Sequence, residues 1–177
     1  MSERRIITTD GGERSVKAAV IDKLASDLRG ELLCCDDPGY DAARRVWNGM
    51  IDKRPALIAR CAGTADVISC VRFAGEHNLL VSVRGGGHHY AGKSVCAAGL
   101  MIDLSPMKGI RVDPLARTAR AQPGLRLGEF DREMQAFGLA TTLGVNTDTG
   151  IAGLTLATAG WEVNSGSPAI ICCRPTW

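Results

Sequence analysis

Val83-Arg84-Gly85-Gly86-Gly87-His88-His89-Tyr90-Ala91-Gly92-Lys93-Ser94 follows directly on the apolar run Leu79-Leu80-Val81-Ser82. A strand that breaks into three consecutive glycines makes a loop whose backbone can take positive φ and approach a ligand closely. Such a loop presents consecutive N–H groups and suits an anion, most often a phosphate.

Upstream of the loop, Ala56-Leu57-Ile58-Ala59 reads as a buried strand. Thr64 is placed to cap a helix that turns Val67, Ile68, Val71 and Ala74 inward and ends near Asn78. Strand, helix and the second strand Leu79–Val83 form a βαβ unit with parallel strands and a right-handed crossover. That unit delivers the glycine loop to the carboxyl end of a parallel strand, where ligands bind in open α/β sheets. Further upstream, Val16, Ala19, Val20, Leu24 and Leu28 share a helical face ahead of Gly30. Asp36-Asp37-Pro38-Gly39 is turn chemistry, and Tyr40 to Trp47 reads as a short helix.

Downstream the pattern changes. Leu100–Leu104, Gly109–Val112 and Thr118–Ala121 are short apolar pieces separated by Ser105-Pro106 and Asp113-Pro114, a meander that favours antiparallel pairing. Leu127, Phe130, Met134 and Phe137 recur at helical spacing up to Gly138. The fold class is therefore α+β, a βαβ start followed by antiparallel strands and a helix. A second glycine-rich stretch, Leu143-Gly144-Val145-Asn146-Thr147-Asp148-Thr149-Gly150-Ile151-Ala152-Gly153-Leu154, suggests a long ligand held at both ends.

Bulk properties exclude several classes. The 177 residues are 45% hydrophobic and 23% charged, enough for a real core and unlike a disordered chain. The 21 basic and 19 acidic residues leave a net charge of +2, with no basic run for nucleic acid. No stretch approaches a membrane span and no apolar signal-peptide region follows Arg4-Arg5, so a cytoplasmic protein is expected. Seven cysteines, at 34, 35, 61, 70, 96, 172 and 173, include no Cys-x-x-Cys pair. They read as reduced thiols, and no metal site is expected.

Gly87-His88-His89-Tyr90-Ala91-Gly92-Lys93-Ser94 also spells the phosphate-binding loop of nucleotide hydrolases, with Leu100-Met101-Ile102-Asp103 as the acidic strand. That reading requires a helix to start at Lys93-Ser94. Only Val95 to Gly99 separate Ser94 from the next strand, whereas a parallel crossover takes about a dozen residues. A dinucleotide fingerprint fails as well, because no helical pattern follows Gly85-Gly86-Gly87. His88 and His89 lack carboxylate or cysteine partners at ligand spacing; the plain alternative is that they hydrogen-bond to loop backbone.

Taken in order, Pro38-Gly39-Tyr40, Arg45-Val46-Trp47-Asn48, Pro55-Ala56-Leu57-Ile58, Arg84-Gly85-Gly86-Gly87-His88, Ile102-Asp103-Leu104-Ser105, Gln122-Pro123-Gly124, Phe137-Gly138-Leu139-Ala140 and Thr149–Leu156 resemble the FAD-binding domain of the FAD-linked oxidases. This is the PCMH-type family that includes relatives of berberine bridge enzyme and vanillyl-alcohol oxidase. The resemblance covers residues 36–156 and implies FAD as cofactor. It implies that Gly85, Gly86, Gly87 and His89 wrap the pyrophosphate, helped by Gly92 and Ser94. Gly144, Thr149, Gly150 and Gly153 would line the other side. It further implies that His88 bonds covalently to the methyl group of the flavin's dimethylbenzene ring. Members with a second tether carry a cysteine after the Gly-Val dipeptide, where this chain has Asn146, so at most one covalent bond is expected.

The family's reaction moves a hydride from a substrate carbon to flavin N5, with dioxygen commonly reoxidising the flavin. A small-molecule substrate is implied, but no residue is assigned as catalytic base and no oligomeric state follows. The pattern departs after Leu156, where Ala157-Thr158-Ala159-Gly160-Trp161 replaces an expected glycine triplet. The expected organisation is a helical segment over 1–50 packing on an FAD-binding domain over 51–161, incomplete at its end, and an atypical tail over 162–177. Substrate-contacting residues of the family lie largely in a further domain, so a truncated or frame-shifted relative is expected. The alternative is a flavin-binding or inactive remnant without turnover; a nucleotide hydrolase ranks below both.

Overall fold

The computed structural model describes residues 3–157 and 171–172. The chain opens with an antiparallel hairpin, β1 (Glu3–Ile7) and β2 (Glu13–Lys17), closed by a turn in which Gly11 takes φ 83°. Helix α1 (Ala18–Asp27) follows at once. The helix expected from Val16 therefore begins two residues later. Val16 lies on β2 opposite Arg4 and is buried there. Leu24 and Leu28 point inward as expected, but Ala19 is exposed and Ile21 takes the inward position. The Asp-Gly-Gly turn signal at residues 10–12 extends the strand period through Val16 before the helical period takes over.

β3 (Glu31–Leu33) leads through the Pro38-Gly39 turn to α2 (Tyr40–Arg44). This helix is shorter than expected because Arg45 leaves it with ψ 136°. Val46 and Trp47 thus extend away from α2 toward the glycine loop.

Next come β4 (Leu57–Arg60), α3 (Thr64–His77), β5 (Val81–Arg84) and β6 (Leu100–Asp103). One four-stranded sheet takes the order β3-β4-β6-β5, with β3 antiparallel to β4 and the other pairs parallel. The βαβ direction holds, and β6 lies between β4 and β5. Placing Leu100–Asp103 in an antiparallel meander is thereby corrected. All four residues are buried, as in a parallel strand covered on both faces. Residues 85–99 make the crossover as irregular backbone, which short-range spacing could not reveal.

α3 is also rotated from the expected orientation. Thr64 is its first residue, not a side-chain cap, and Gly63 occupies the N-cap. Asp66, Cys70, Phe73 and Ala74 are buried with Val67 packed beside them, whereas Ile68 and Val71 are exposed. The rotation brings Asp66 to the N–H groups of Arg29, Gly30 and Ala62. The helix ends where expected, with Asn78 left-handed at φ 54°.

β7 (Ile110–Asp113) and β8 (Thr118–Ala121) form the expected antiparallel pair. α4 (Leu127–Gln135) buries Leu127, Phe130 and Met134, while Phe137 lies past its end and is half-exposed before the turn at Gly138. α5 (Ile151–Ala157) starts within the second glycine stretch, and β9 (Ile171–Cys172) pairs with β8.

Three apolar clusters hold these parts. Ile6, Leu24, Leu57, Phe73, Leu100 and Ile102 fill one face of the large sheet, and Leu33, Tyr40, Ile58, Val95 and Met101 fill the other. Ala119, Leu125, Phe130, Met134 and Ile151 form the third. Each fully buried aliphatic side chain contributes about 1.5–3 kcal/mol, so both faces of the sheet are strongly specified. The carboxyl ends of β4, β6 and β5 are thereby fixed where the glycine loop departs.

Candidate functional site

β5 ends at Arg84 and the chain passes directly into Gly85-Gly86-Gly87. Gly87 takes φ 72° and Gly92 φ 63°, left-handed conformations that the loop needs at these two turns. The loop's carbonyls are engaged: the Trp47 N–H donates to Gly87 O at 3.1 Å, and the Gly92 N–H to His89 O at 2.9 Å. The N–H groups of residues 85–89, by contrast, donate to no acceptor among the described residues. Backbone donors are seldom left without partners. A run of unpaired backbone N–H groups is the kind of feature that can receive an anion.

The second glycine stretch closes on the first. A Cβ on Gly86 would stand 2.5 Å from Gly150 Cα, and one on Gly150 would stand 2.6 Å from Gly86 Cα. A Cβ on Gly85 would lie 3.1 Å from Pro123 O and 4.0 Å from Gly153 N. Thr149 is fixed by its carbonyl, which accepts the Leu127 N–H at 2.9 Å, and Ile151 donates to Leu125 O at 2.9 Å. Gly85, Gly86, Thr149, Gly150 and Gly153 thus come together in one wall.

The remaining sequence-predicted residues lie around it. Gly92 is buried against Ile51, and Ser94 is buried with its Oγ unpartnered. Gly144 neighbours Leu127 and Leu154 on the side of α4 and α5.

The two histidines differ sharply. The His88 ring stacks on Trp47, with centroids 5.7 Å apart and planes 23° apart. Its Nδ1 lies 3.1 Å from Gly86 O, a partner that requires the proton on Nδ1. Nε2 is buried without a hydrogen-bond partner among the described residues. His89 is exposed, and its Nδ1 accepts the Ala91 N–H at 3.1 Å. The plain backbone-bonding alternative therefore describes His89 fully and His88 only at Nδ1.

No helix begins at Lys93, so the nucleotide-hydrolase motif lacks its phosphate-facing helix. The short gap to Leu100 is not the reason, because β6 does run parallel to β5. The reason is the irregular course of residues 93–99.

Site residues that spacing did not single out come from distant parts of the chain. Pro123 touches the loop because Gly124 packs so tightly that a Cβ there would stand 2.7 Å from Met107 O. Arg84 donates from Nη1 to Ala43 O, and Asp103 lies beside it at the end of β6. The runs Gln122-Pro123-Gly124, Arg84-Gly85-Gly86-Gly87-His88 and Ile102-Asp103-Leu104-Ser105 carried these residues in sequence, but not the contacts they make.

Residues 55–168 match the model of the "FAD binding domain" family. Among curated proteins, the chain is 39% identical over 136 residues to (R)-6-hydroxynicotine oxidase of Paenarthrobacter nicotinovorans, covering 76% of this chain and 30% of that protein. It is 35% identical over 129 residues to an uncharacterised FAD-linked oxidoreductase of Bacillus subtilis, covering 73% and 29%. Among solved structures, 6-hydroxy-D-nicotine oxidase from Arthrobacter nicotinovorans superposes with TM-score 0.70 at 38% identity, covering 72% of this chain and 28% of that one. The carbohydrate oxidase of Microdochium nivale superposes with TM-score 0.68 at 28% identity, covering 75% and 29%. The chain thus spans about 30% of the length of the relatives it matches.

Proposed function

Because the chain belongs to the FAD-binding domain family of the FAD-linked oxidoreductases, we propose that residues 85–94 and 144–153 hold FAD and that His88 attaches it covalently. The observation that carries this reading is the succession of free N–H groups from Gly85 to His89 beside the unpartnered His88 Nε2. A diphosphate needs the first, and a methyl-linked flavin needs the second. The glycine wall at Gly86 and Gly150 admits no side chain, which suits a site where backbone must approach the ligand closely.

In this reading the Gly85, Gly86, Gly87 and His89 amides bind the pyrophosphate, and the Ser94 hydroxyl, buried and unpaired, adds a further donor. His88 presents Nε2 in a fixed direction, because Gly86 O fixes its ring plane and Trp47 covers one face. Thr149, Gly150 and Gly153 shape the adjoining wall, and Gly144 extends it toward α4. Bound flavin supplies a hydride-accepting centre at N5 that dioxygen can reoxidise. The protein's share is to bind, orient and shield. The substrate class is a small organic molecule with an oxidisable carbon, by analogy with the relatives' names.

The test is direct. The purified 177-residue chain is precipitated with acid, and the pellet is examined for yellow, fluorescent flavin. Flavin in the pellet of the parent protein and in the supernatant of His88→Ala is the expected result. Flavin released from both removes the covalent link and keeps FAD binding, and no flavin in either removes the reading altogether. Oxidation of a substrate by the loaded chain alone separates a working oxidoreductase from a flavin-binding remnant.

A further inference from the structure

β4, β6 and β5 end in register on Arg60, Asp103 and Arg84, with Arg60 and Arg84 each opposite Asp103. Strand alternation puts all three on the sheet face that carries Ile58 and Met101, the face packed by Tyr40 and Val95. Asp103 is buried, with Oδ2 3.7 Å from Arg60 Nε and Oδ1 4.0 Å from Arg84 Nε. Oδ1 also accepts the Ser105 N–H at 3.0 Å. Both Nε atoms are buried and without a hydrogen-bond partner. The carboxylate therefore stands between two guanidinium groups, within ion-pair distance of both and hydrogen-bonded to neither Nε atom.

Arg84 makes its hydrogen bond to a neutral group, the carbonyl of Ala43 in α2. Its Nε lies 3.4 Å from the place where a Cβ of Gly87 would stand. The guanidinium thus fills the space beside Gly87 and joins the loop to α2, from which Trp47 reaches back to donate to Gly87 O. A loop whose N–H groups find no acceptor among the described residues needs its shape imposed from outside itself. The Arg84 side chain sits where it can impose that shape.

We propose that Arg84 is a positioning residue for the anion-binding loop, held in place by Asp103 and acting through Ala43 and Gly87. The proposal rests on the FAD reading above. It is distinct from a role in which Arg84 merely supplies positive charge to a phosphate, and the two roles predict opposite results at two positions. A lysine at 84 keeps the charge but cannot span from Asp103 to Ala43 in a planar fork. An asparagine at 103 removes a negative charge near the site at constant volume, which would tighten anion binding if charge alone mattered.

The experiment measures binding of FAD and of ADP, which carries the pyrophosphate without the flavin, to the full chain over a range of salt concentrations. Arg84→Lys and Asp103→Asn are both expected to weaken ADP by about tenfold, with the salt dependence of the parent protein preserved. Wild-type affinity in Arg84→Lys, or tighter binding in Asp103→Asn, overturns the positioning role. If Arg84→Lys does not fold, the sign of the Asp103→Asn effect decides. A parent protein that binds neither FAD nor ADP sinks the FAD reading itself, whereas a parent that binds both beside variants that bind equally well sinks Arg84 alone.

Discussion

Gly86 and Gly150 meet backbone to backbone, so closely that a Cβ on either would stand 2.5–2.6 Å from the other's Cα. Through Gly86 and Gly150, which lie more than sixty positions apart in sequence, the two glycine stretches therefore make one continuous wall. Neither neighbour is a flexible side-chain end that could yield. Gly86→Ala and Gly150→Ala are expected to destabilise the chain by about 1–3 kcal/mol, the usual range for overpacking, and to abolish FAD retention. Thermal melting with and without FAD checks both halves, and an unchanged melting temperature would refute the backbone contact.

Gly153 offers the contrasting case. It lies in α5 with no atom of the described residues within 4 Å of its would-be Cβ. Alanine there should stabilise the FAD-free protein by about 0.5–1 kcal/mol, the difference between the two residues in a helix. If the open space is where FAD lies, the same substitution weakens FAD binding. A rise in melting temperature together with a loss of flavin distinguishes a ligand-facing glycine from a structural one. Unchanged flavin binding would move Gly153 out of the site.

Asp66 ties two segments together by accepting the N–H groups of Arg29, Gly30 and Ala62 at 3.0, 3.1 and 2.8 Å. Burial alone would push its carboxyl up, but those N–H groups and the nearby Arg29 charge hold it below the ordinary 3.8. A depressed carboxyl gives stability that is fully present above the unfolded-state value and is lost as pH falls through the folded one. Asp66→Asn should therefore cost about 2–3 kcal/mol near neutral pH. The gap to the parent protein should close as pH drops below the ordinary carboxylate range. Denaturant melts across pH test this, and a gap constant down to strong acid would contradict it.

The fold was readable where local chemistry and tertiary demand agree. Leu57–Arg60, the helix closing at Asn78, the β7–β8 pair and the Leu127-Phe130-Met134 stripe all lie where the pattern puts them. It was misread where an apolar run fits two periods. Val16 serves a strand although it also completes a helical face, and Leu100–Asp103 joins a parallel sheet across a crossover that contains no helix. Ile68 and Val71 lost their inward places to Asp66, a buried carboxylate that periodicity counts as surface. The glycine loop was visible as a motif, but the partners that shape it, Ala43, Trp47, Asp103 and Pro123, come from three separate stretches. The Ala157 position, where the family pattern breaks, lies at the edge of the described residues, and Thr158–Trp161 lie outside them.

Thiol chemistry provides an independent check on the core. Cys61, Cys70 and Cys96 are buried and free, whereas Cys35 is exposed. A hydrogen bond with Cys70, together with burial, pushes the Cys61 thiol far up, and burial raises Cys96 and Cys34 as well. Among the five cysteines described, an alkylating reagent at mild alkaline pH should label Cys35 first, with Cys61, Cys70 and Cys96 reacting only after unfolding. Peptide mapping by mass spectrometry reads the order. Early labelling of Cys61 or Cys70 would show that the contact between β4 and α3 opens in the native state.

Trp47 provides the last test, because it is 63% exposed and yet held in one place. Its N–H donates to Gly87 O, and its ring stacks on the His88 imidazole. A large aromatic that remains mostly in solvent gains little from burial, so its chief local effect is on the histidine it covers. The Gly86 carbonyl fixes the His88 ring plane through Nδ1, and the Trp47 face removes the remaining freedom to swing outward. Stacked aromatic pairs of this kind contribute about 0.5–1.5 kcal/mol. That is enough to change the fraction of time Nε2 spends correctly aimed by roughly two- to tenfold. Trp47→Ala should therefore slow the appearance of acid-stable flavin by about that factor while leaving reversible FAD binding within about twofold. Trp47→Phe, which keeps a stacking ring, should recover most of the rate. The time course of flavin in acid-precipitated protein measures the effect. Equal rates in the alanine and parent proteins would leave the stacking without a role in aiming His88.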